Sequence, residues 1–450
     1  MSRAKVVLIS VIGLHLVAET SLTPFLPQLF ERLYGIDEPG ATGLYLWICR
    51  IVGLAALPLW GLAARRWPLH RLVLAGLCGS AVLDLLLGLA PSYAAYTVLS
   101  AAIVTTNSAL LLAYPAFIAE HDADPSGGER ARLAGICSIV VVFHLSTVAA
   151  TLVGAGVLAL PEPRVGISAF ALLDVLLAVL TYRVLGKRAP IGTGTAGAAD
   201  GLSGAVDAVG AAGSGGAGGP GGAIGPGGAI GPGGASGPGG AADSGGATGS
   251  GGSAAWRRFG GLAMLVQAAL IGVAFDFSVN VARPFFTELA VDLGSGSTGS
   301  AVLFFLPSVA ALAVLPVVRR CHDLLGDRLL PLALAVAAAG LAWQALSSSL
   351  PGLAGGRLLF GVGLGVGQVA VELWAFRATG TAGPAFTAVE TARSAGLLAA
   401  PVAAAAAVSY DLALPLAVAA AVHLLATGLS LRRVPLPRPQ PALMYSEEIR

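Results

Sequence analysis

The sequence predicts an all-α membrane protein in which twelve transmembrane helices form two pseudosymmetric six-helix bundles. Three observations lead to this prediction. Of the 450 residues, 56% are hydrophobic and only 11% are charged, whereas soluble domains carry about 25% charged residues. Apolar runs long enough to cross a bilayer, which takes about 20 residues, recur along the chain. A Gly-rich segment then divides these runs into two equal sets.

The apolar runs are separated by short polar segments, many of them basic. Those of the first half are Val6–Phe30, Gly43–Ala64, Leu72–Ala90, Tyr93–Ala119, Leu133–Leu160 and Val165–Leu185. Those of the second half are Phe259–Phe286, Ser300–Val318, Leu329–Leu346, Leu353–Phe376, Ala385–Val408 and Leu412–Leu431.

The segment between the halves is predicted to be a disordered linker. It consists almost wholly of Gly, Ala, Ser and Pro, so it offers little to bury against the entropy of ordering. Gly at nearly every third position from Gly201 to Gly252 would also suit a collagen helix, but the scarcity of proline favours a flexible coil. We therefore expect an N-terminal bundle over 1–190, the linker over 191–255, a C-terminal bundle over 256–433 and a tail over 434–450.

Lysine and arginine in the short loops predict the orientation, because they accumulate on the cytoplasmic side of membrane proteins. With a cytoplasmic N-terminus, most basic residues fall on that side, and the opposite side receives little more than Arg32, Arg164 and Arg357. We therefore expect a multi-pass protein of the plasma membrane with both termini cytoplasmic. The net charge of +2 gives no reason to expect nucleic acid, and the four cysteines lack ligand-like spacing, so we expect neither a metal nor a cofactor.

The two halves repeat short patterns at offsets near 260. Thr-Pro-Phe-Leu at 23–26 matches Arg-Pro-Phe-Phe at 283–286, and Leu-Pro before Arg-Arg occurs at 57–66 and again at 315–320. The pattern E-x-A-R-x-A-G occurs at 129–135 and at 390–396. Three matches in the same order indicate an internal duplication.

This organisation resembles the major facilitator superfamily across nearly the whole chain. The loop after the second span is similar to the family's G-x-x-x-D-R-x-G-R-R signature, although Arg65 stands where the family has Asp. The resemblance implies alternating-access transport of a small molecule, and we expect a monomer. The cytoplasmic gate loop would contain Gly61, Arg65, Arg66 and Arg71. The sequence around His15, Glu19 and Pro24, with Arg50 and Tyr114, most resembles siderophore exporters within the family.

Ionisable residues inside a membrane are usually paired or functional, because each costs about 2.5–3.5 kcal/mol to insert. His15 and Glu19 share one face of the first helix, and Arg50 of the second span is placed at a similar depth. A Glu19–Arg50 ion pair would lower the burial cost of both groups. It would also let a substrate at Arg50 alter the proton affinity of Glu19, although a purely structural pair is the alternative.

Asp276, Asn280 and Arg283 share one face of the seventh span, which corresponds to the first span by pseudosymmetry. In the resembled fold both helices border the central cavity. Two arginines facing that cavity would suit an anionic, carboxylate or hydroxamate substrate, because guanidinium binds such groups bidentately. Alternatively, the Arg283 side chain extends to the outer surface.

Further polar residues lie on helices that border the cavity in the resembled fold. They are Asn107 and Tyr114 of the fourth span, His144 and Thr151 of the fifth, and Gln368 and Glu372 of the tenth. His144 is the candidate that titrates near neutral pH, although a hydrogen-bonded structural role fits it equally. Asp84, Asp174 and His423 fall on peripheral spans and are interpreted as polar contacts between helices.

The sequence thus predicts a secondary transporter, with proton-coupled export of a siderophore or drug-like molecule as the leading hypothesis. Glu19, Asp276 and His144 are the proton-coupling candidates. Facilitated or proton-coupled uptake of a metabolite is one alternative, and an integral membrane enzyme is the alternative of another class. The chain contains no G-x-x-x-x-G-K-[ST] motif, which argues against ATP as the energy source. The substrate-binding candidates are His15, Arg50, Asn107, Tyr114, Asn280, Arg283, Gln368 and Glu372.

Overall fold

The computed structural model describes residues 3–64, 66–67, 69–121, 128–185, 251–379 and 384–432. The first half contains α1 (Arg3–Thr20), α2 (Leu26–Tyr34), α3 (Pro39–Ala64), α4 (Leu69–Gly88), α5 (Tyr93–His121), α6 (Gly128–Ala159) and α7 (Pro163–Leu185). The second half contains α8 (Gly251–Val281), α9 (Phe286–Asp292), α10 (Ser297–Leu325), α11 (Leu329–Ala345), α12 (Leu350–Thr379), α13 (Pro384–Val408) and α14 (Leu414–Leu431). The predicted tail lies outside the described residues, as does the predicted linker up to residue 250.

The first predicted span divides into the long α1 and the start of the short α2, and α8 near the end of the seventh is likewise followed by the short α9. Pro24 and Pro284 lie at these breaks, where a proline removes one backbone donor and crowds the preceding turn. The short helices α2 and α9 start in the same way: φ and ψ are −113° and 8° at Phe25, and −112° and 8° at Phe285. The prediction of one uninterrupted first span, Val6–Phe30, was therefore wrong, whereas α9 lies almost wholly beyond the predicted seventh span, Phe259–Phe286.

Hydropathy and exposure identify the molecule as a multi-pass membrane protein. Among the described residues, nine helical segments are long and apolar enough to cross a membrane, and one of them, Ser297–Ala345, contains both α10 and α11. Large apolar side chains are exposed on the outside of the helices, for example Leu172 at 74% and Val98 at 69%. Polar groups such as Arg50 and Asp174 are buried instead. This distribution is the one expected when lipid surrounds the helices.

The same five helix pairings occur in each half. In the first half α1 packs against α6 and α7, α4 against α5 and α7, and α3 against α5. The equivalent helices of the second half repeat this, with α8 against α13 and α14, α11 against α12 and α14, and α10 against α12. Between the halves, α3 packs against α13 and α6 against α10. At Gly43 of α3, an added Cβ would lie 2.6 Å from the Ala405 Cβ of α13, so this approach requires glycine.

Candidate functional site

A cavity lies between the two halves, where helices of both contribute to its wall. It comprises about 550 Å³ of space between atoms, including the part that is open to solvent. None of the described residues that line it is acidic, whereas two are arginines. The lining residues are Leu16, Thr20, Thr23, Pro24, Leu46, Arg50, Phe143, Thr147, Ala150, Thr151, Asn280, Arg283, Pro284 and Phe304.

Arg50 of α3 connects the two halves beside this cavity. Its side chain is buried, and Nη2 donates a hydrogen bond of 2.9 Å to Oδ1 of Asn280 on α8. Nη1 donates to the backbone carbonyl of Leu397 on α13. Asn280 in turn donates from Nδ2 to the backbone carbonyl of Asp276, at 2.7 Å. Arg50 is therefore held by dipoles of the other half, which leaves its charge without neutralisation by these partners.

Arg283 brings a second positive charge to the cavity wall. Its guanidinium carbon lies 5.8 Å from the ring centroid of Phe143 on α6, a cation–π contact between the halves. Arg283 also acts electrostatically on Arg50. The structure thus places Arg50, Asn280 and Arg283 together, as the sequence predicted.

A third arginine lies behind the cavity wall. Arg357 of α12 is buried, and its guanidinium donates to the backbone carbonyls of Leu303 and Phe304 at 2.9 and 2.6 Å. The guanidinium carbon lies 3.8 Å from the ring centroid of Phe286, and its charge interacts with that of Arg283. The sequence analysis counted Arg357 among the few basic residues of the outer side, although it falls within the predicted span Leu353–Phe376.

Four charged residues of the second half, none of which lines the cavity, contact one another. Arg393 of α13 donates from Nε to Asp276 Oδ2 at 2.8 Å and from Nη2 to Asp276 Oδ1 at 3.3 Å. Its Nη1 lies 2.9 Å from Glu372 Oε1 and 2.8 Å from Glu390 Oε1. Asp276 therefore turns away from Asn280 and the cavity. We call this set the Arg393 cluster.

Two glycines make the Arg393 cluster sterically possible. A Cβ at Gly272 would lie 2.7 Å from Cγ and Cδ of Arg393, and a Cβ at Gly396 would lie 2.5 Å from the carbonyl oxygen of Val273. Helices α8 and α13 consequently approach closely enough for Arg393 to reach Asp276. Arg393, Glu390 and Gly396 belong to the repeated E-x-A-R-x-A-G pattern, so the sequence contained the signal, but it was used only as evidence of duplication.

A different charged cluster lies inside the first half. His15 Nε2 is 3.9 Å from Glu19 Oε2, and His15 Nδ1 is 3.8 Å from Asp174 Oδ1 of α7. Asp84 of α4 interacts with Asp174. Glu19 thus faces His15, and the Glu19–Arg50 ion pair suggested by the sequence does not form, because Arg50 points toward the second half. Asp84 and Asp174, which were interpreted as peripheral contacts between helices, belong to this first-half cluster.

The remaining candidates are more dispersed. His144 of α6 lies beside Gln368 of α12, so this pair joins the two halves, although neither residue lines the cavity itself. Asn107 is buried on α5. Of the predicted gate loop, Gly61 is buried and Arg66 and Arg71 are exposed. Arg65 and the side chain of Tyr114 lie outside the described part of the chain.

The halves also meet at the ends of α1 and α8, where the short helices begin. Thr287 of α9 donates from Oγ1 to the backbone carbonyl of Pro24 at 2.6 Å. Beside it, burial and then the nearby Glu31 carboxylate raise the pKa of Glu288 from 4.5 to about 7. This contact therefore carries a carboxyl group that titrates near neutral pH.

Comparison with known proteins supports the fold. The structure is similar to the crystal structure of the human organic anion transporter MFSD10 (TETRAN), with a TM-score of 0.57 and 20% sequence identity over 96% of this chain and 100% of that chain. No protein-family model matches the sequence, and the search of curated proteins gave no match. At this identity the likeness concerns the fold and not the substrate. On this evidence the chain has the fold of a major facilitator transporter.

Proposed function

We propose that this protein is a secondary active transporter that moves a small organic anion across the cytoplasmic membrane by alternating access. The proposed architecture is twelve spans in two six-helix bundles, with both termini cytoplasmic and one chain as the working unit. The five repeated helix pairings support two equivalent bundles, and the cavity lies between them, where repeat-built transporters bind their substrates.

The charge of the residues that line the cavity is the observation that supports an anionic substrate. Arg50 and Arg283 contribute to its wall, and none of the described lining residues is acidic. Arg50 is buried and donates its hydrogen bonds to neutral dipoles, so an anion that binds beside it and Arg283 recovers part of the cost of burying its charge. The threonines at 20, 23, 147 and 151 also line the cavity. Three of their hydroxyl groups, those at 20, 147 and 151, donate to carbonyls of their own helices, and each would have to rotate to donate to a carboxylate or hydroxamate oxygen. The name of the structural neighbour, an organic anion transporter, agrees with this class.

Export coupled to protons is the direction and energy source that we propose, and a siderophore bearing carboxylate or hydroxamate groups is the substrate that this chemistry fits. Uptake of a metabolite anion uses the same cavity in the reverse direction. An efflux assay with and without a proton uncoupler decides between them. An integral membrane enzyme is the alternative of another class, and metal-dependent turnover by the purified protein identifies it.

The substrate class is tested with two dyes that share one ring system. Proteoliposomes containing the full chain are supplied with carboxyfluorescein, an anion, or with rhodamine 123, a cation. We expect saturable movement of carboxyfluorescein and none of rhodamine 123 above protein-free liposomes. Arg50→Gln and Arg283→Gln should each lower carboxyfluorescein transport at least tenfold, because one charge-assisted bond contributes about 1.5–3 kcal/mol.

The matched control is Arg328→Gln, because Arg328 is exposed in the short 3₁₀ helix between α10 and α11 and does not line the cavity. Its transport should equal that of the unchanged protein. Equal transport of both dyes, or full carboxyfluorescein transport by Arg50→Gln and Arg283→Gln, would show that the cavity does not select anions.

A further inference from the structure

The first-half cluster is unusual in its charge balance. It gathers three carboxyl groups, Glu19, Asp84 and Asp174, around a single imidazole, that of His15. Asp174 is 1% exposed, His15 6% and Asp84 9%. Among the described residues, the charged groups that act on His15, Glu19 and Asp84 are other members of the cluster. One imidazolium therefore faces three potential negative charges.

The cluster also contains polar atoms that lack partners. Neither carboxylate oxygen of Asp174 and neither ring nitrogen of His15 has a hydrogen bond to any described residue. Asp174 points at His15, with 3.8 Å between Oδ1 and Nδ1. Buried polar groups are normally hydrogen-bonded, so an arrangement of this kind calls for a ligand or a function.

A proton is the ligand that this chemistry fits. Three carboxyl groups gathered near one imidazole repel one another and have lost hydration, and both effects favour the uptake of a proton by the cluster. When a carboxylate takes up a proton, one O–H bond forms and one negative charge disappears. The new O–H group then serves as a hydrogen-bond donor to a neighbouring carboxylate or imidazole. Among the described residues, no group of three or more His, Cys, Asp or Glu is placed to hold a metal ion.

Among the described residues, no basic side chain outside the cluster acts on His15, Glu19 or Asp84. Cys49 of α3 lies close enough to interact electrostatically with Glu19, and Tyr96 of α5 is similarly close to Asp84. A thiol and a phenol are ordinarily neutral at physiological pH. Ser80 of α4, a neutral hydroxyl, lies near Asp84. On α6, which also packs against α1, His144 lies beside Gln368 and interacts with Arg283 of the other half.

Helix α1 connects this cluster to the cavity. Leu16 and Thr20 line the cavity, whereas their neighbours along the helix, His15 and Glu19, face Asp174. The cluster and the cavity therefore share helix α1 and use different residues of it.

We propose that His15, Glu19, Asp84 and Asp174 form a proton-binding site inside the first half, apart from the substrate cavity, and that this proton couples to transport. The coupling role rests on the proposed transport function, but proton binding itself does not. The cluster takes up one proton from one side of the membrane. It releases that proton to the other side after α1 has shifted, and no other bond forms or breaks.

Infrared difference spectroscopy of the full chain in liposomes, between pH 8 and pH 5, measures the proton site without any substrate. We expect a carboxylic-acid carbonyl band that shifts in deuterium oxide and is lost in both Asp174→Asn and Asp84→Asn. The matched control is Asp292→Asn, an exposed carboxyl at the end of α9, which should keep this band. A band that persists in both cluster variants overturns the proposal, as does a band that responds to NaCl, but not to choline chloride, at constant pH.

Coupling is then measured with carboxyfluorescein in the same liposomes. Asp174→Asn should lower accumulation driven by a pH gradient at least tenfold, while exchange at equal pH on both sides falls less than twofold. Undiminished gradient-driven accumulation would refute the coupling role. If the unchanged protein moves no carboxyfluorescein, the proposed transport of that anion fails, while the infrared result still decides whether the cluster binds a proton. Asp84→Asn provides the second variant if Asp174→Asn does not fold.

Discussion

Removing Arg393 should destabilise the protein far more than removing an arginine from a surface pair. Its guanidinium holds Asp276, Glu372 and Glu390 through contacts of 2.8–2.9 Å. The side chains of Arg393, Asp276 and Glu372 are 5%, 3% and 1% exposed. Arg393→Met keeps the volume and the apolar stem but leaves these carboxylates buried without their cation. Breaking a buried pair in this way costs about 3–5 kcal/mol.

The cost of protonating Asp276 gives a second estimate of the stability lost in Arg393→Met, and it is similar in size. Without Arg393, the buried Asp276 carboxylate can take up a proton and become neutral. Protonating one ordinary carboxyl group costs about 4 kcal/mol at pH 7 and only about 1.5 kcal/mol at pH 5. The loss of stability caused by Arg393→Met should therefore shrink by at least half between pH 7 and pH 5. The double variant with Asp276→Asn should recover part of the loss at pH 7.

The free energy of unfolding in mixed detergent micelles, followed by intrinsic fluorescence, provides the measurement. Arg377→Met is the matched control, because Arg377 pairs with Asp327 at 3.0 Å while the two side chains are 34% and 76% exposed. Such a surface pair contributes at most about 1 kcal/mol. Equal losses for the two variants, or a loss for Arg393→Met that does not depend on pH, would refute the argument that burial makes the Arg393 cluster strong.

Two further predictions concern helix packing and pH. Gly396→Ala should lower the free energy of unfolding by about 1–3 kcal/mol, because its Cβ would lie 2.5 Å from the Val273 carbonyl oxygen. At the equivalent repeat position, Gly135→Ala meets nothing within 4 Å and should be neutral or stabilising; equal effects of the two would contradict the packing argument. The raised pKa of Glu288, from 4.5 to about 7, means that the folded protein binds the extra proton, so stability should fall as pH rises from about 4.5 to 7. Glu288→Gln should remove about 1–3 kcal/mol of this dependence in unfolding curves recorded across that range, and an unchanged dependence would assign it to other groups.

The helical positions were predictable, because hydropathy is a local property of the chain. Most predicted spans coincide with helices to within several residues, and the exceptions are the breaks at Pro24 and Pro284. Those breaks had a local signal as well, since both prolines were recognised as part of the repeat. Hydropathy alone did not indicate that the helix breaks at a proline near the end of an apolar run.

The cavity was predicted in part. The resemblance to a known fold placed Arg50, Asn280 and Arg283 near one another, and the structure brings all three to the same wall. Helical periodicity also assigned Asp276 to that face, but its carboxyl group bonds to Arg393 instead. A spacing of four residues sets the direction in which a side chain leaves its helix, and the partner across the helix interface decides where its polar end binds.

By itself, the sequence determined that this is a membrane protein of many apolar helices that is poor in charge, and it predicted two related halves. These properties follow from composition and from short repeats, which are local. Only the tertiary structure decided which of the few charged groups meet. Asp276 and Arg393 are 117 positions apart, Arg50 and Asn280 are 230 apart, and His15 finds Asp174 on another helix. Such pairs depend on helix rotation and crossing, which are fixed by close packing at residues such as Gly272 and Gly396 and not by the hydrophobic period of any one helix.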